Sequence, residues 1–118
     1  MKSQNELDPK PLIEGLLNKS REGKLKWEPT ADRAAFVVSV GGDTTFKIYF
    51  AQEHGFNEWG EPETFDVERL QLLDEKGKML WQIASPRGYL AELYRVAQRI
   101  GNQLDQRLTN AVNILEKL

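Results

Sequence analysis

The longest regular pattern in the chain is a stripe of apolar residues over roughly its last thirty positions. Placed at about 100° per residue, these positions fall within one sector of about 120°, which is typical of an amphipathic helix. The stripe comprises Leu90, Leu93, Tyr94, Ala97, Ile100, Leu104, Leu108, Ala111, Val112, Leu115 and Leu118. Its phase continues across Gly101-Asn102, so the pattern predicts one long helix, either straight or bent at Gly101.

A straight helix of this length does not fit inside a domain of this size. It would span about 50 Å, whereas a compact chain of 118 residues has a radius of gyration of about 13–14 Å. We therefore expect a bend at Gly101, or an end that overhangs the sheet and needs cover. We expect Leu90 to Ile100 in the core, and two interpretations of the remainder stay open: more core, or an interface between two chains. That interface would consist of Leu108, Val112, Leu115 and Leu118.

Capping signals predict a shorter helix near the N-terminus, after a polar tail at residues 1–7. Asp8 can cap this helix, and Pro9 suits its first position because the N–H that proline lacks is unpaired there anyway. Gly23 is placed to end it in the left-handed conformation. Its apolar face is Leu12, Ile13, Leu16 and Leu17. Residues 24–28 alternate and predict a short strand, which Pro29 stops.

A β-hairpin is predicted between residues 33 and 51. Its first strand carries Phe36, Val38 and Val40 on one face, and its second carries Phe46, Ile48 and Phe50. A two-residue loop would put these two sets on opposite faces of the sheet, because opposed residues point the same way. We therefore expect an odd-length loop such as Gly41-Gly42-Asp43, or a bulge with the same effect, opposing Val38 to Phe46 and Phe36 to Ile48.

The next stretch predicts a long loop and a second hairpin. Residues 52–64 are rich in Gly, Asn, Glu and Pro, and are expected to form a loop. Beyond it the apolar residues lie at odd positions up to Val67 and at even positions from Leu70, so a regular strand could not turn them all to one face. We therefore expect a bulge near Glu68-Arg69, or regular pairing that begins only near Arg69.

The segment Asp74-Glu75-Lys76-Gly77 is typical of a type I turn with a left-handed glycine. This turn would oppose Leu72 to Leu80 and Leu73 to Met79. Ser85-Pro86 then repeats the start signal of the first helix. The predicted fold is thus a single α+β domain over residues 1–118: a short N-terminal helix, an antiparallel meander of four to five strands, and a long C-terminal helix packed on the sheet.

Composition excludes several classes of function. The formal charge is −2 and there is no cysteine, which excludes disulfides, thiolate catalysis and cysteine-based zinc sites. The mildly acidic balance argues against nucleic acid, whose binding depends on clustered Lys and Arg. No segment resembles a signal peptide or approaches the about 20 apolar residues needed to cross a bilayer. We expect a cytoplasmic protein that does not act at a membrane.

Two segments were candidates for chemistry. The single histidine, His54, could be a base or a metal ligand beside Glu53, Glu58 or Glu61. No nucleophile motif or metal-ligand spacing accompanies it, so a solvated histidine is the simpler interpretation. Residues 41–45 (GGDTT) faintly resemble a phosphate-binding loop but lack a following helix, so a hairpin turn explains them. We predict no catalytic, cofactor or metal site and no enzymatic activity.

Charge is distributed unevenly along the chain. Residues 48–68 contain six carboxylates and no Lys or Arg, whereas residues 19–26 carry four basic side chains and one acidic one. The acidic stretch could steer a basic partner, or could pair head-to-tail with the basic segment of another copy. It could also simply keep an exposed strand edge from pairing. Phe56 and Trp59 lie within this acidic stretch. They could anchor a partner protein, or they could pack against the core and so fix a loop in place. With His54, they are the candidate contacts for a partner or ligand.

Several segments together resemble a family of small bacterial single-domain α+β proteins. They are residues 16–28 (LLNKSREGKLKWE), which include G-K-L-x-W-E, the β meander with the turn at residues 72–77 (LLDEKG), and the helix at residues 90–99 (LAELYRVAQR), which includes L-x-x-L-Y-x-x-A. The resemblance implies the same order of elements and carries no known activity.

Two hypotheses about function follow. The first is a non-catalytic interaction or regulatory protein that binds another copy of itself, through its C-terminal helix, or another protein. The alternative is a small-molecule-binding or enzymatic domain with a pocket between sheet and helix near Trp27, Trp59 and His54.

Overall fold

A computed structural model describes residues 8–85 and 90–118 of the chain. The elements are α1 (Lys10–Arg21), β1 (Glu28–Pro29), β2 (Ala35–Gly41), β3 (Thr44–Phe56), β4 (Pro62–Leu73), β5 (Met79–Ser85), α2 (Ala91–Gly101) and α3 (Leu104–Glu116). The strands form one antiparallel sheet in the order β1-β2-β3-β4-β5. The α+β class and the five-stranded meander are therefore confirmed. The predicted tail at residues 1–7 and the Pro86 part of the second start signal lie outside the described residues.

The first helix ends as predicted, but it begins one residue later than expected, at Lys10, with Pro9 in the capping position. The Lys10 backbone N–H donates to Asp8 Oδ1 (3.0 Å). Gly23 is left-handed (φ 79°), and the Lys24 N–H donates to the Lys19 carbonyl (3.0 Å), which closes a Schellman cap. The strand after it is shorter than expected and includes Pro29, which had been predicted to stop it. At the edge of a sheet the N–H that proline lacks is not needed for pairing.

One face of the sheet forms the core with α1 and α2. Its members are Ile13, Leu16, Trp27, Phe36, Val38, Phe46, Ile48, Leu70, Leu90, Leu93 and Ala97. Trp27 is 2% exposed, and its Nε1–H donates to Ser20 Oγ (2.8 Å). The Ser20 hydroxyl in turn donates to the Leu16 carbonyl (2.6 Å). This buried chain joins α1 to the segment that leads into β1.

The β2–β3 hairpin has the predicted register. Phe36 is opposite Ile48 and Val38 is opposite Phe46. The pairing shifts between Ser39 and Gly41, so Val40 is the extra residue of a bulge, and this is the second of the two predicted solutions. The bulge lets both apolar sets face the helices.

The predicted loop at residues 52–64 is wrong. β3 and β4 pair without a break from Thr45 opposite Leu73 to Phe56 opposite Pro62, and only residues 57–61 form the connection. The bulge expected near Glu68-Arg69 is also wrong, because the pairing stays regular there. The apolar parity changes because Val67 is buried on one face of β4 and Leu70 on the other.

The β4–β5 hairpin agrees with the prediction only next to its turn. Leu73 is opposite Met79 as expected, but Leu72 is opposite Trp81 and not Leu80. A shift between Leu72 and Leu73 leaves Leu80 as an extra, exposed residue. The shift places Trp81 on the same face as Leu72, where both pack against the core.

The C-terminal stripe forms two helices. α2 lies over the sheet, where Leu90, Leu93 and Ala97 are buried, so the first half of the stripe is core as predicted. The helix breaks at Asn102-Gln103, just past the expected bend, because Gln103 adopts the left-handed conformation (φ 52°). Gly101 is buried, and a Cβ added to it would lie 2.5 Å from Phe36 Cδ1.

Candidate interaction surfaces

Helix α3 carries an apolar surface that no other described part of the chain covers. No residue of α3 is buried, its large apolar side chains are between 40% and 66% exposed, and Leu118, which follows the helix, is 94% exposed. We define the seam as Leu104, Leu108, Ala111, Leu115 and Leu118. Their alternating spacing of four and three residues is the a/d pattern by which helices of a coiled coil pack together. The side chains of Val112 and Ile114 flank the seam on either side.

The junction between α2 and α3 is held by local contacts. The Arg99 guanidinium donates to Asp105 Oδ1 from Nε (3.1 Å) and Nη2 (2.6 Å). The Arg107 Nε–H donates to the Asn102 carbonyl (2.9 Å). The hydrogen bond from Arg99 lowers the pKa of Asp105 below its usual value, so this carboxylate is ionised at neutral pH. These contacts direct α3 away from the sheet.

The stability of α3 needs an explanation, because the helix is both short and exposed. A helix of 13 residues that lacks tertiary packing is only marginally stable in water. Sustained helical structure therefore favours a partner for the seam. The radius of gyration is 17.2 Å, whereas a compact chain of this length would have about 13.5 Å. The larger value agrees with a helix that projects from the rest of the domain.

A second projecting feature is the far end of the β3–β4 hairpin, which we call the arm (residues 51–67). Pairing between β2 and β3 ends at Ala35 opposite Tyr49, and pairing between β4 and β5 ends at Glu68 opposite Ser85. Beyond these pairs, no other described strand flanks the hairpin. About six residue pairs at about 3.3 Å each give the arm a length of about 20 Å.

The tip of the arm is a well-ordered turn that carries exposed aromatic rings. The Asn57 side-chain Oδ1 accepts hydrogen bonds from the backbone N–H groups of Trp59 and Glu61, both 2.9 Å long. Gly60 is left-handed (φ 76°). Phe56 is 71% exposed and Trp59 is 75% exposed. Neither ring pins the hairpin to the core, so that interpretation of the two aromatic residues is wrong.

The predicted contact residues divide between the arm and the core. His54 and Phe56 lie on one face of the arm, opposite Thr64 and Pro62, and Trp59 lies in the turn. Trp27 is buried beneath the helices, so the structure does not bring Trp27, Trp59 and His54 into one pocket. Among the described residues, no cluster of His, Cys, Asp or Glu is suited to a metal ion.

An apolar groove does exist between α1 and the sheet, at a different place. It has a volume of about 470 Å³, and its lining includes Leu12, Leu16, Leu25, Val40 and Phe46. The charged residues beside it are Lys19 and Lys24, whose ammonium groups both pair with Glu22. Among its described lining residues the groove has no acid, histidine or hydroxyl group for catalysis.

Four of the six acidic side chains of residues 48–68 are buried or accept a side-chain hydrogen bond; Asp66 accepts from Gln52 Nε2 (3.1 Å) and Glu61 from Asn57 Nδ2 (3.3 Å). Glu68 is 7% exposed, on the core face of β4. Burial raises the pKa of Glu68 above its usual value, Asp66 adds to the rise, and Arg95 opposes it. Glu53 accepts two hydrogen bonds of 2.7 Å from Arg69. The negative charge of the arm therefore concentrates near its tip.

The basic segment at residues 19–26 is partly neutralised within the chain, because two carboxylates pair with three of its four basic side chains. Lys19 and Lys24 approach the same carboxylate of Glu22, at 3.7 Å and 3.2 Å. The Arg21 guanidinium pairs with Glu92 of α2. The segment therefore presents less positive charge than its composition indicates.

Comparisons of the chain with protein-family models, with curated proteins and with solved structures give no match. No helix among the described residues is long and apolar enough to span a membrane. Among the described residues, the seam and the tip of the arm carry the most exposed large apolar side chains: Leu118, Trp59 and Phe56.

Sequence reasoning found part of each surface. Leu108, Val112, Leu115 and Leu118 were named as an interface, and all are exposed. Leu104 and Ala111 were in the stripe but not in that interface, although their heptad spacing could have placed them there. Ile114 lies outside the stripe.

Proposed function

We propose that this chain is a non-catalytic cytoplasmic interaction protein that associates with a second copy of itself through the α3 seam. The observation that carries the proposal is a helix with a heptad of apolar residues and no buried residue. A second copy supplies the same seam, and such self-complementary contacts are the basis of two-fold dimers.

The exposed apolar surface is large enough to support this association. Full burial of one Leu, Ile or Val stabilises by about 1.5–3 kcal/mol. The side chains concerned, Leu104, Leu108, Val112, Ile114, Leu115 and Leu118, are exposed by about 60% on average. Two copies would thus gain up to about 10–20 kcal/mol, against an association cost of about 4–15 kcal/mol. A net gain of about 5.5–8 kcal/mol lies within the difference of these ranges, and it corresponds to a dissociation constant of about 1–100 µM.

Substitutions in α3 test the proposal. In the double variant Leu108→Gln/Leu115→Gln, two seam residues become polar while helix propensity hardly changes. The matched control is Thr109→Gln/Asn113→Gln, on the opposite face of the same helix. Light scattering coupled to size exclusion, loaded at about 200 µM to exceed the expected dissociation constant, would measure the mass of each protein.

We expect the unmodified protein and the control to have a mass near twice that of the 13.5 kDa chain. The seam variant should elute as a folded monomer, because neither leucine contributes to the core. A seam variant that remains dimeric would contradict the proposal, and so would an unmodified protein that is monomeric at this concentration.

A further inference from the structure

We propose that the tip of the β3–β4 arm is a docking site for a Lys- and Arg-containing segment of another protein. This surface is distinct from the α3 seam, and its role does not depend on whether the chain forms dimers. The aromatic hollow at the tip carries the proposal, and the carboxylates around the hollow select its occupant.

The hollow is a shallow concavity of about 440 Å³. Its lining residues are Phe56, Asn57, Glu58, Trp59, Glu63 and Phe65. Apolar and aromatic surface with a few polar groups at its edge is typical of binding sites in proteins. Large aromatic side chains that stay exposed at the end of a projecting hairpin are also typical anchors of protein interfaces.

The tip is preorganised, so binding would order few groups. The Asn57 N–H donates to the Glu61 carbonyl (2.9 Å), and the Gly60 N–H donates to the Asn57 carbonyl (3.0 Å). The Phe65 ring lies over Gly55, where an added Cβ would approach its Cε2 atom to 2.7 Å. Glycine at this position therefore lets the ring lie flat against the hairpin. A rigid site loses less conformational entropy when it binds.

The charge of the hollow favours a cation. The carboxylates of Glu58 and Glu63 make no hydrogen bond or ion pair with any residue in the described ranges 8–85 and 90–118. Arg69, the nearest arginine along β4, is engaged by Glu53. A guanidinium or ammonium group over the face of Trp59 gains a cation–π interaction, and the two carboxylates add charge complementarity.

The same charges argue against other occupants. Phosphate groups of nucleic acids and of anionic lipids would be repelled by the carboxylates at the tip. The basic segment at residues 19–24 of a second copy offers little free charge to the hollow, because its side chains are engaged by Glu22 and Glu92. A cationic segment of a different protein fits best.

The chain supplies its own template for a test variant. Its other tight turn, from Asp74 to Lys78, repeats the hydrogen bonds of the arm turn: Asp74 Oδ1 accepts from the N–H groups of Lys76 and Lys78, both at 2.8 Å. Lys76 occupies the place that Trp59 has in the arm. Trp59→Lys thus gives the arm a residue that the same turn already tolerates, while it removes the ring and adds a positive charge.

Fluorescence anisotropy would measure binding of a labelled peptide of five arginines alternating with serine, at low salt. The corresponding glutamate peptide tests the sign of the charge. The protein is used in the monomeric Leu108→Gln/Leu115→Gln background, so the result is independent of dimer formation. The variants are Trp59→Lys, Trp59→Phe and Glu58→Gln/Glu63→Gln, and the matched control is Glu75→Gln in the other turn.

We expect the arginine peptide to bind with a dissociation constant below about 100 µM and the glutamate peptide not to bind. Trp59→Lys should weaken binding about tenfold or more, whereas Trp59→Phe, which keeps an aromatic face, should stay within about threefold. Glu58→Gln/Glu63→Gln should weaken binding and reduce its dependence on salt, and Glu75→Gln should leave it unchanged.

Three results would overturn the proposal. The first is no binding of the arginine peptide below about 100 µM. The second is equal binding by Trp59→Lys and its parent. The third is self-association of the seam variant that Trp59→Lys abolishes, which would make a second copy the occupant.

Discussion

Replacing Gly101 by alanine tests how closely α2 approaches the sheet before the chain turns into α3. The added Cβ would lie 2.5 Å from Phe36 Cδ1 and 2.9 Å from Cε1. Phe36 is among the most deeply buried side chains, and its ring packs edge-on against Tyr94 with centroids 6.0 Å apart. The ring therefore has little room to move away from the new methyl group.

Two opposing effects set the size of the change. Overpacking a core typically costs about 1–3 kcal/mol, whereas alanine in place of glycine gains up to about 1 kcal/mol of helix propensity. The net loss of unfolding free energy is then about 0.5–2 kcal/mol. For a chain of 118 residues, 1 kcal/mol corresponds to about 4 °C. We expect the melting temperature to fall by about 2–8 °C.

Gly15→Ala is the matched control, because Gly15 is also helical and an added Cβ would meet nothing within 4 Å. It keeps the gain in helix propensity without the clash, so its melting temperature should rise by about 2–4 °C. Thermal unfolding followed by circular dichroism measures both variants. A Gly101→Ala protein as stable as Gly15→Ala would refute the close approach of α2 to Phe36.

Ser20→Ala leaves the buried Trp27 indole N–H without an acceptor, so it should cost about 1–3 kcal/mol in urea unfolding. The same substitution in a Trp27→Phe background should cost clearly less, and equal costs would contradict the hydrogen bond. Because the pKa of Glu68 is raised in the folded state, the unfolded state releases this proton more readily, and stability is lost as pH rises through the folded pKa. Glu68→Gln should therefore have a higher unfolding free energy than its parent at neutral pH. This difference should shrink as the pH falls below 4.5, the ordinary pKa of a glutamate. An equally large difference in acid would count against the raised pKa. Gln103→Gly should stabilise by about 1 kcal/mol, because glycine adopts the left-handed conformation without strain, and a loss of stability in thermal unfolding would argue against that conformation.

The register of the β2–β3 hairpin was predictable because one face of its strands is buried, whereas the bulge that shifts the β4–β5 register was not. Phe36 and Val38 must face the same side of the sheet as Phe46 and Ile48, which predicted the β2–β3 pairing. This pairing requires one extra residue in the hairpin, and the bulge at Val40 supplies it. The apolar alternation is informative there because helices cover that face.

The arm was missed because neither of its faces is buried deeply enough to produce alternation. Its residues are mostly polar, and Gly55 and Pro62 indicate a loop when no core constrains them. The turn itself carried a signal, since Asn57-Glu58-Trp59-Gly60 has the same pattern as Asp74-Glu75-Lys76-Gly77. Only the second turn was recognised, because apolar strands flank it.

The break between α2 and α3 could not be located from periodicity. The apolar residues of α2 and α3 continue the same helical periodicity, so the sequence pattern is the same for a continuous helix and for a broken one. The left-handed conformation of Gln103 is unusual for a residue other than glycine, and no sequence pattern marks it. The expected bend at Gly101 was therefore close to the break but misplaced.

Sedimentation equilibrium on the unmodified protein, over loading concentrations of about 5–500 µM that span the expected dissociation constant, would show whether the α3 seam is covered by a second copy. We expect the weight-average mass to rise with concentration from 13.5 kDa towards twice that value. The helical circular dichroism signal should increase in parallel, because α3 gains packing on association. A mass that stays at 13.5 kDa throughout, with an unchanged helical signal, would show that the seam of α3 faces water and that the proposed dimer does not form.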